Sequence, residues 1–155
     1  MQTTLVLIKP DCILRGLTGE IINRFVKRGL QIVGIKMMKL SDDLLKEHYA
    51  HIADKPFFPG VMKAMQRTPV IAIALAGIDV ANVARSMAGI TNARDAQAGT
   101  IRGDYAVSIQ NNIVHISDSP ESAEVEVKRF FKEEELFEPL KELAGLTYSP
   151  DEIQE

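Results

Sequence analysis

The chain has 155 residues, of which 46% are hydrophobic and 25% charged, and its net charge is −3. That size and balance suit one compact domain with a core of ordinary volume. The acidic sign excludes a general polyanion-binding face, so phosphate chemistry would need a local concentration of basic residues. The single cysteine, Cys12, excludes an intramolecular disulfide and a Cys-based zinc cluster, and it fits a reducing compartment.

Thr3 to Lys9 is expected to be a buried strand, a β-branched apolar run ended by Pro10. The run has no basic segment before it and stops at a lysine, so no secretory signal is expected. The longest apolar stretch, Val70 to Ala76, is too short to cross a bilayer, and a cytoplasmic protein follows. Leu17, Ile21, Ile22, Phe25 and Val26 recur at helical spacing, with Gly29 as the stop. Gln31 to Leu40 reads as a second strand, and Ser41 or Asp42 caps a helix carrying Leu44, Leu45 and Tyr49. After the break at Pro56-Phe57-Phe58-Pro59-Gly60, a short helix is expected over 61–66. Val70 to Ala76 follows as a strand buried on both faces, and then a helix over 79–87. Gly89 to Asp104 reads as a long loop. Tyr105 to His115 reads as a strand interrupted at Gln110-Asn111. Ser119, with Pro120 at the first helical position, opens a last helix whose apolar side holds Ala123, Val127, Phe130 and Phe131. This order gives the split βαβ pattern of an α+β ferredoxin-like sandwich, a four-stranded antiparallel sheet with helices on its faces. One domain is expected over 1–138, with 139–155 as its less regular tail, whose acidic last residues are expected to be disordered.

The long loop and the helix before it carry Arg85, Thr91, Asn92, Arg94, Thr100 and Arg102. Loops longer than roughly 12–15 residues in a compact domain are usually functional or disordered. Guanidinium forks match phosphate oxygens, so three arginines here suit a phosphate clamp, although they equally suit a solvated loop. The loop has no P-loop pattern. His115 ends an apolar strand just before a capped helix, a position where anions bind. A neutral imidazole, with an ordinary pKa of roughly 6.5, is a nucleophile at neutral pH, though a histidine so placed is often structural. Glu126 borders the buried stripe of the last helix, where a carboxylate can hold one ring nitrogen's proton and leave the other nitrogen free. Lys9 reads either as a phosphate ligand or as a charge closing an edge strand. Tyr49 reads as core or site. Phe57, between prolines, suits stacking on a base.

The run from Asn112 to Glu126 (Asn-Ile-Val-His-Ile-Ser-Asp-Ser-Pro-Glu-Ser-Ala-Glu-Val-Glu) resembles the active-site signature of the nucleoside diphosphate kinases. It is joined, in that family's order, by Ile8-Lys9-Pro10-Asp11, Glu47-His48-Tyr49, Pro56-Phe57-Phe58, Gly89-Ile90-Thr91-Asn92 and the segment Gly99 to Asp104. The match runs from about Thr3 to Phe131. The resemblance implies a phosphotransferase that moves the γ-phosphate of a nucleoside triphosphate to a diphosphate through a phosphorylated His115. It further implies that Glu126 hydrogen-bonds the other ring nitrogen, with Ser117 nearby and Tyr49 packed beside the histidine. Phe57 would stack on the base. Lys9 and Asn112 would contact the sugar hydroxyls, with Lys9 also reaching the transferring phosphate, and Arg85, Thr91 and Arg102 would hold the phosphates. Mg²⁺ would arrive with the nucleotide, with no protein metal cage. A homo-oligomer built from dimers is implied, the hexamer being the expected assembly; neither nucleic acid nor membrane is an expected partner. Three departures stand out. Ile116 replaces a small residue and is expected to crowd the site, Ala93 and Ala98 replace loop prolines, and the sequence after Phe137 differs from the family's usual ending. Two other readings compete: a nucleotide-binding protein without activity, and a ferredoxin-like nucleic-acid module. The intact polar set argues against the first, the acidic balance against the second.

Overall fold

The computed structural model describes residues 1–153. Four strands, β1 (Gln2–Ile8), β2 (Gln31–Met38), β3 (Val70–Gly77) and β4 (Val114–Ile116), form one sheet in the order β2-β3-β1-β4. Every neighbouring pair is antiparallel, so the fold is the expected ferredoxin-like α+β sandwich. Between and after the strands run α1 (Pro10–Leu14), α2 (Thr18–Lys27), α3 (Asp42–His48), α4 (Phe58–Met65), α5 (Val80–Ala88), α6 (Ile101–Tyr105), α7 (Pro120–Phe130), α8 (Lys141–Thr147) and α9 (Pro150–Ile153). None of the described helices is long and apolar enough to cross a membrane.

The interior strand β1 divides the core by simple alternation. Val6 and Ile8 face a cluster with Ile21 and Phe25 of α2 and Val80 and Ala84 of α5. Leu5 and Leu7 face the other way, towards Leu45, Met65, Val127 and Phe130 of α3, α4 and α7. The same alternation sorts β4, whose register pairs Val6 with Ile116, Leu7 with His115 and Ile8 with Val114. His115 therefore shares the face of α3 and α7, while Ile116 is buried in the opposite cluster. The expectation that Ile116 crowds the site is thus corrected: its extra carbons fill the α2/α5 side of the core.

Several local expectations are also corrected. Lys9 does not close an edge strand, because β1 lies between β3 and β4. Pro10 opens α1 as its first residue, where a missing N–H costs nothing. The segment 89–104 is not one loop, since Ala93–Asp95 form a 3₁₀ turn and Thr100 caps α6 by accepting from Gly103 N. The expected strand over 105–115 shrinks to β4, since 106–113 is irregular and Ile113 sits at φ 77°, a left-handed conformation that breaks the ladder. The tail holds α8 and α9 and docks on the sheet edge: Leu140 and Gln31 exchange two hydrogen bonds (2.8 and 3.1 Å), and the Tyr148 hydroxyl accepts from Ile78 N. The disorder expected for the last residues falls in part on Gln154 and Glu155, outside the described residues.

Candidate functional site

The His115 side chain leaves β4 towards α7, where Ser119 caps the helix by accepting from Ser122 N and Pro120 takes the first position. Ala123, Val127 and Phe130 bury one stripe of α7, and this rotation carries Glu126 inward beside them. Glu126 Oε2 lies 3.0 Å from His115 Nε2 and accepts the Ser117 hydroxyl at 2.7 Å. Ser117 Oγ itself accepts from Leu5 N at 3.3 Å, which fixes the group to β1. Burial favours the neutral acid for Glu126, but hydrogen bonds from His115 and Ser117 outweigh it and hold the carboxyl down to about 2. An ionised carboxylate can only accept, so the shared proton sits on Nε2 and the lone pair of the neutral ring is on Nδ1. Tyr49, the residue after α3, has its ring 6.1 Å from that of His115; burial raises its phenol well above the ordinary range.

A second group lies at the β1–β4 end of the sheet. Lys9 Nζ donates to Asn112 Oδ1 at 2.8 Å and to the carbonyl of Gln110. Asn112 is buried, and its amide donates to the carbonyls of Thr91 (2.9 Å) and Ile109 (3.0 Å). Ile113, held in its strained conformation, donates N–H to Asp11 Oδ2 and accepts Lys9 N–H. The strained residue lies just beyond Val114, where the β1–β4 ladder ends. Burial pulls Lys9 down to about 8. Arg102 of α6 is only 6% exposed, and its guanidinium donates to the carbonyls of Gly89 (2.7 Å), Val114 (2.8 Å) and Asn112 (3.3 Å). Those bonds use three of its five N–H groups and lash 89, 112 and 114 together; burial lowers it to about 10.

The structure thus brings together His115, Glu126, Ser117 and Tyr49, and separately Lys9, Asn112, Arg102 and the backbone of Thr91. Arg85, near the end of α5, pairs with exposed Asp118 at 2.6 Å rather than with either group. Phe57 stands at the start of α4 with 58% of its surface exposed and contacts none of the groups named above by hydrogen bond. Arg94 is exposed. Sequence reasoning gave no role to His48, which packs on His115, to Arg129, which bonds His48, to Asp11, which accepts from Ile113 N, or to Asp118, which pairs with Arg85. His48 was detectable, since it lies three residues from buried Leu45 on α3 and so on its inward face. Among the described residues, His48, His115 and Glu126 are the one set of three potential metal ligands that converge, with one donor atom from each within 4.8 Å. Two imidazoles and one carboxylate suit a softer ion than Mg²⁺, which prefers oxygen ligands.

The arrangement offers an oriented imidazole with one ring nitrogen free, a second group that holds two cations, and an exposed aromatic ring. A family model described as nucleoside diphosphate kinase matches residues 2–136. The chain is 54% identical over 154 residues to a nucleoside diphosphate kinase of Parabacteroides distasonis, covering 99% of this chain and 100% of that protein. It is 49% identical over 135 residues to nucleoside diphosphate kinase A of Homo sapiens, covering 87% and 89% of the two chains. Among solved structures, a halophilic nucleoside diphosphate kinase from Halobacterium salinarum in complex with CDP superposes with a TM-score of 0.92 at 38% identity. That superposition covers 96% of this chain and 99% of that one.

Proposed function

The chain belongs to the nucleoside diphosphate kinase family of phosphotransferases, and on that premise we propose that it moves the γ-phosphoryl group between nucleotides by a ping-pong route through phosphorylated His115. The observation that carries the reading is the bond between His115 Nε2 and Glu126, which leaves Nδ1 as the free nucleophile. In the first half-reaction the Nδ1 lone pair attacks the γ-phosphorus. The bond to the bridging oxygen breaks and the diphosphate leaves with that electron pair. The Nε2 proton stays shared with Glu126, whose negative charge balances the ring as the N–P bond forms. A second diphosphate then attacks the phosphorus through its terminal oxygen, and Nδ1 recovers its lone pair. Phosphoryl transfer of this kind rests on positioning and charge neutralisation.

Lys9 and Asn112 are assigned to the sugar hydroxyls and Lys9 also to the transferring phosphate. Arg102, Arg85 and Thr91 are assigned to the phosphates, and Phe57 to a stacking face for the base. Arg102 retains two N–H groups beyond its three backbone bonds, and Arg85 would exchange Asp118 for phosphate. Mg²⁺ is part of the nucleotide substrate in this reading, where it neutralises phosphate charge. The reading also takes the protein as a cytoplasmic homo-oligomer of dimers, with the hexamer as full assembly, and treats 139–155 as the tail of a domain over 1–138. The edge strand β2 supports a dimer, because it exposes Ile32, Ile35 and Met37 on an edge that, among the described residues, the tail covers only at Gln31 and Val33, through Leu140 and Phe137.

The test is incubation with a γ-labelled nucleoside triphosphate and Mg²⁺. An acid-labile, base-stable protein phosphate should form with release of the diphosphate, and His115→Ala should form none. Normal labelling of that variant would show the mechanism to be wrong.

A further inference from the structure

His48 takes no part in the scheme above, yet its ring is only 6% exposed and lies against the nucleophile. It stands edge to face on His115, with ring centroids 4.4 Å apart and planes at 74°. Tyr49 and Phe130 hold the same ring from two further sides, at 4.8 and 5.0 Å, both near perpendicular. Its Nδ1 lies 3.3 Å from Arg129 Nη1, and Arg129 is in turn tied to Glu47 at 3.1 Å. A guanidinium has no lone pair to offer, so Nδ1 must be the acceptor and the neutral ring carries its proton on Nε2. That Nε2–H is buried and has no hydrogen-bond partner. An unpaired buried donor is uncommon and calls for a reason. Here it belongs to a ring one of whose nitrogens lies within 4.8 Å of a ring nitrogen of His115 and of a carboxylate oxygen of Glu126.

We propose that His48 is a positioning residue for the His115 nucleophile, a neutral imidazole fixed by Arg129 that braces the flank of the His115 ring and keeps an unpaired N–H beside the reacting pair. The proposal rests on the phosphohistidine reading and deepens it. Glu126 holds His115 at one nitrogen only, about which the ring can still rock. The perpendicular His48 ring restricts that motion and so keeps Nδ1 in line. As the phosphoryl group arrives, negative charge accumulates beside a donor that has no prior partner to give up. The charged and titratable groups facing His48 are His115, Glu126, Arg129, His51 and Tyr49. Burial, then His115, pushes the His48 imidazole down to about 3, which keeps it neutral in working conditions. Arg129 reinforces this, since a protonated His48 would meet a cation at its Nδ1.

Two substitutions separate the part played by the Nε2–H from that of the ring's shape. His48→Phe keeps an aromatic ring of similar shape but removes both nitrogens. His48→Gln keeps an amide N–H about as far along the side chain as Nε2. Each full-length variant is mixed with γ-labelled nucleoside triphosphate and Mg²⁺ in rapid-quench single-turnover experiments, and diphosphate affinity is measured separately by calorimetry. In His48→Phe phosphoenzyme formation should slow by about 10- to 100-fold, the scale set by small misplacement of a reacting group. Diphosphate affinity should stay within about twofold of the parent. His48→Gln, which restores the N–H without the bracing ring, should recover part of the lost rate. Arg129→Met, which frees Nδ1, should slow the same step with binding unchanged, and it carries the test if His48→Phe does not fold. A parental rate in His48→Phe and Arg129→Met would overturn the proposal. So would parallel loss of rate and nucleotide affinity, or a glutamine variant as slow as the phenylalanine one. If the parent protein forms no phosphoenzyme, the phosphohistidine reading fails and this inference falls with it. Equal labelling of parent and variants sinks this inference alone.

Discussion

Replacing Glu126 by glutamine tests how much of the proposed chemistry depends on charge rather than shape. The substitution keeps volume and planarity but makes neutral the one oxygen, Oε2, on which the His115 and Ser117 hydrogen bonds converge. Bonds to a charged acceptor contribute about 1.5–3 kcal/mol, against about 0.5–1.5 kcal/mol for neutral ones. Losing roughly 1–2 kcal/mol at each of two bonds removes about 2–4 kcal/mol, or about 30- to 900-fold in rate if it falls on the transition state. That range overlaps the lower part of the roughly 10²–10⁴-fold typical of groups that orient or transfer a proton. Glu126→Gln should therefore still form phosphoenzyme, only more slowly, whereas His115→Gln should form none. Rapid-quench labelling measures both, and a melting curve accompanies each. The depressed carboxyl contributes stability above its ordinary unfolded pKa, and that stability is lost as the pH falls towards about 2. At neutral pH the glutamine variant should thus melt below the parent, and the gap should close in acid. Equal loss of labelling in the two variants would refute the orienting role, and an unchanged rate in Glu126→Gln would refute any role for its charge.

Lys9, brought down to about 8 by burial, must be charged to neutralise phosphate, so kcat/KM should fall as the pH rises through about 8. A profile flat to well beyond that value would remove Lys9 from phosphate binding. Phe57 offers a face and no hydrogen bonds, so purine and pyrimidine diphosphates should all be accepted. A preference above about 1,000-fold (over 4 kcal/mol) for one base would be incompatible with stacking alone. Native mass measurement over a dilution series should give a hexamer built from dimers. A monomer at micromolar concentration would defeat that assembly altogether, and a stable dimer or tetramer would defeat only the hexamer.

Much of this molecule can be read directly from its sequence, for local reasons. The apolar runs of β1, β2 and β3 have no other stable home than a sheet, and the Ser119-Pro120 cap with its 3.6-residue apolar period leaves α7 little choice. The same period places Glu126 at the margin of the buried stripe, and the motif around His115 carries the family resemblance through His115 itself. What the sequence missed lies where local signals conflict or fall silent. The apolar residues over 105–113 pattern as a strand, but Arg102 takes the carbonyls of Gly89, Asn112 and Val114 and Ile113 turns left-handed, so the ladder holds only three residues.

Which face a residue occupies is the other thing that only tertiary structure decides. Side chains alternate along a strand, but the sequence does not say which side carries the site. Only the pairing of Leu7 with His115 and Val6 with Ile116 sends the histidine towards α7 and the isoleucine into the opposite core. His48 shows the same limit on a helix. Its spacing from Leu45 marks it as buried, while its contact with His115 depends on α3 crossing the far side of the sheet from α2, a relation between segments distant in the chain. Periodicity records the pull of each segment towards apolar surroundings. The partner it meets there is set by how all the segments fill one volume together, and no single stretch of sequence contains that information.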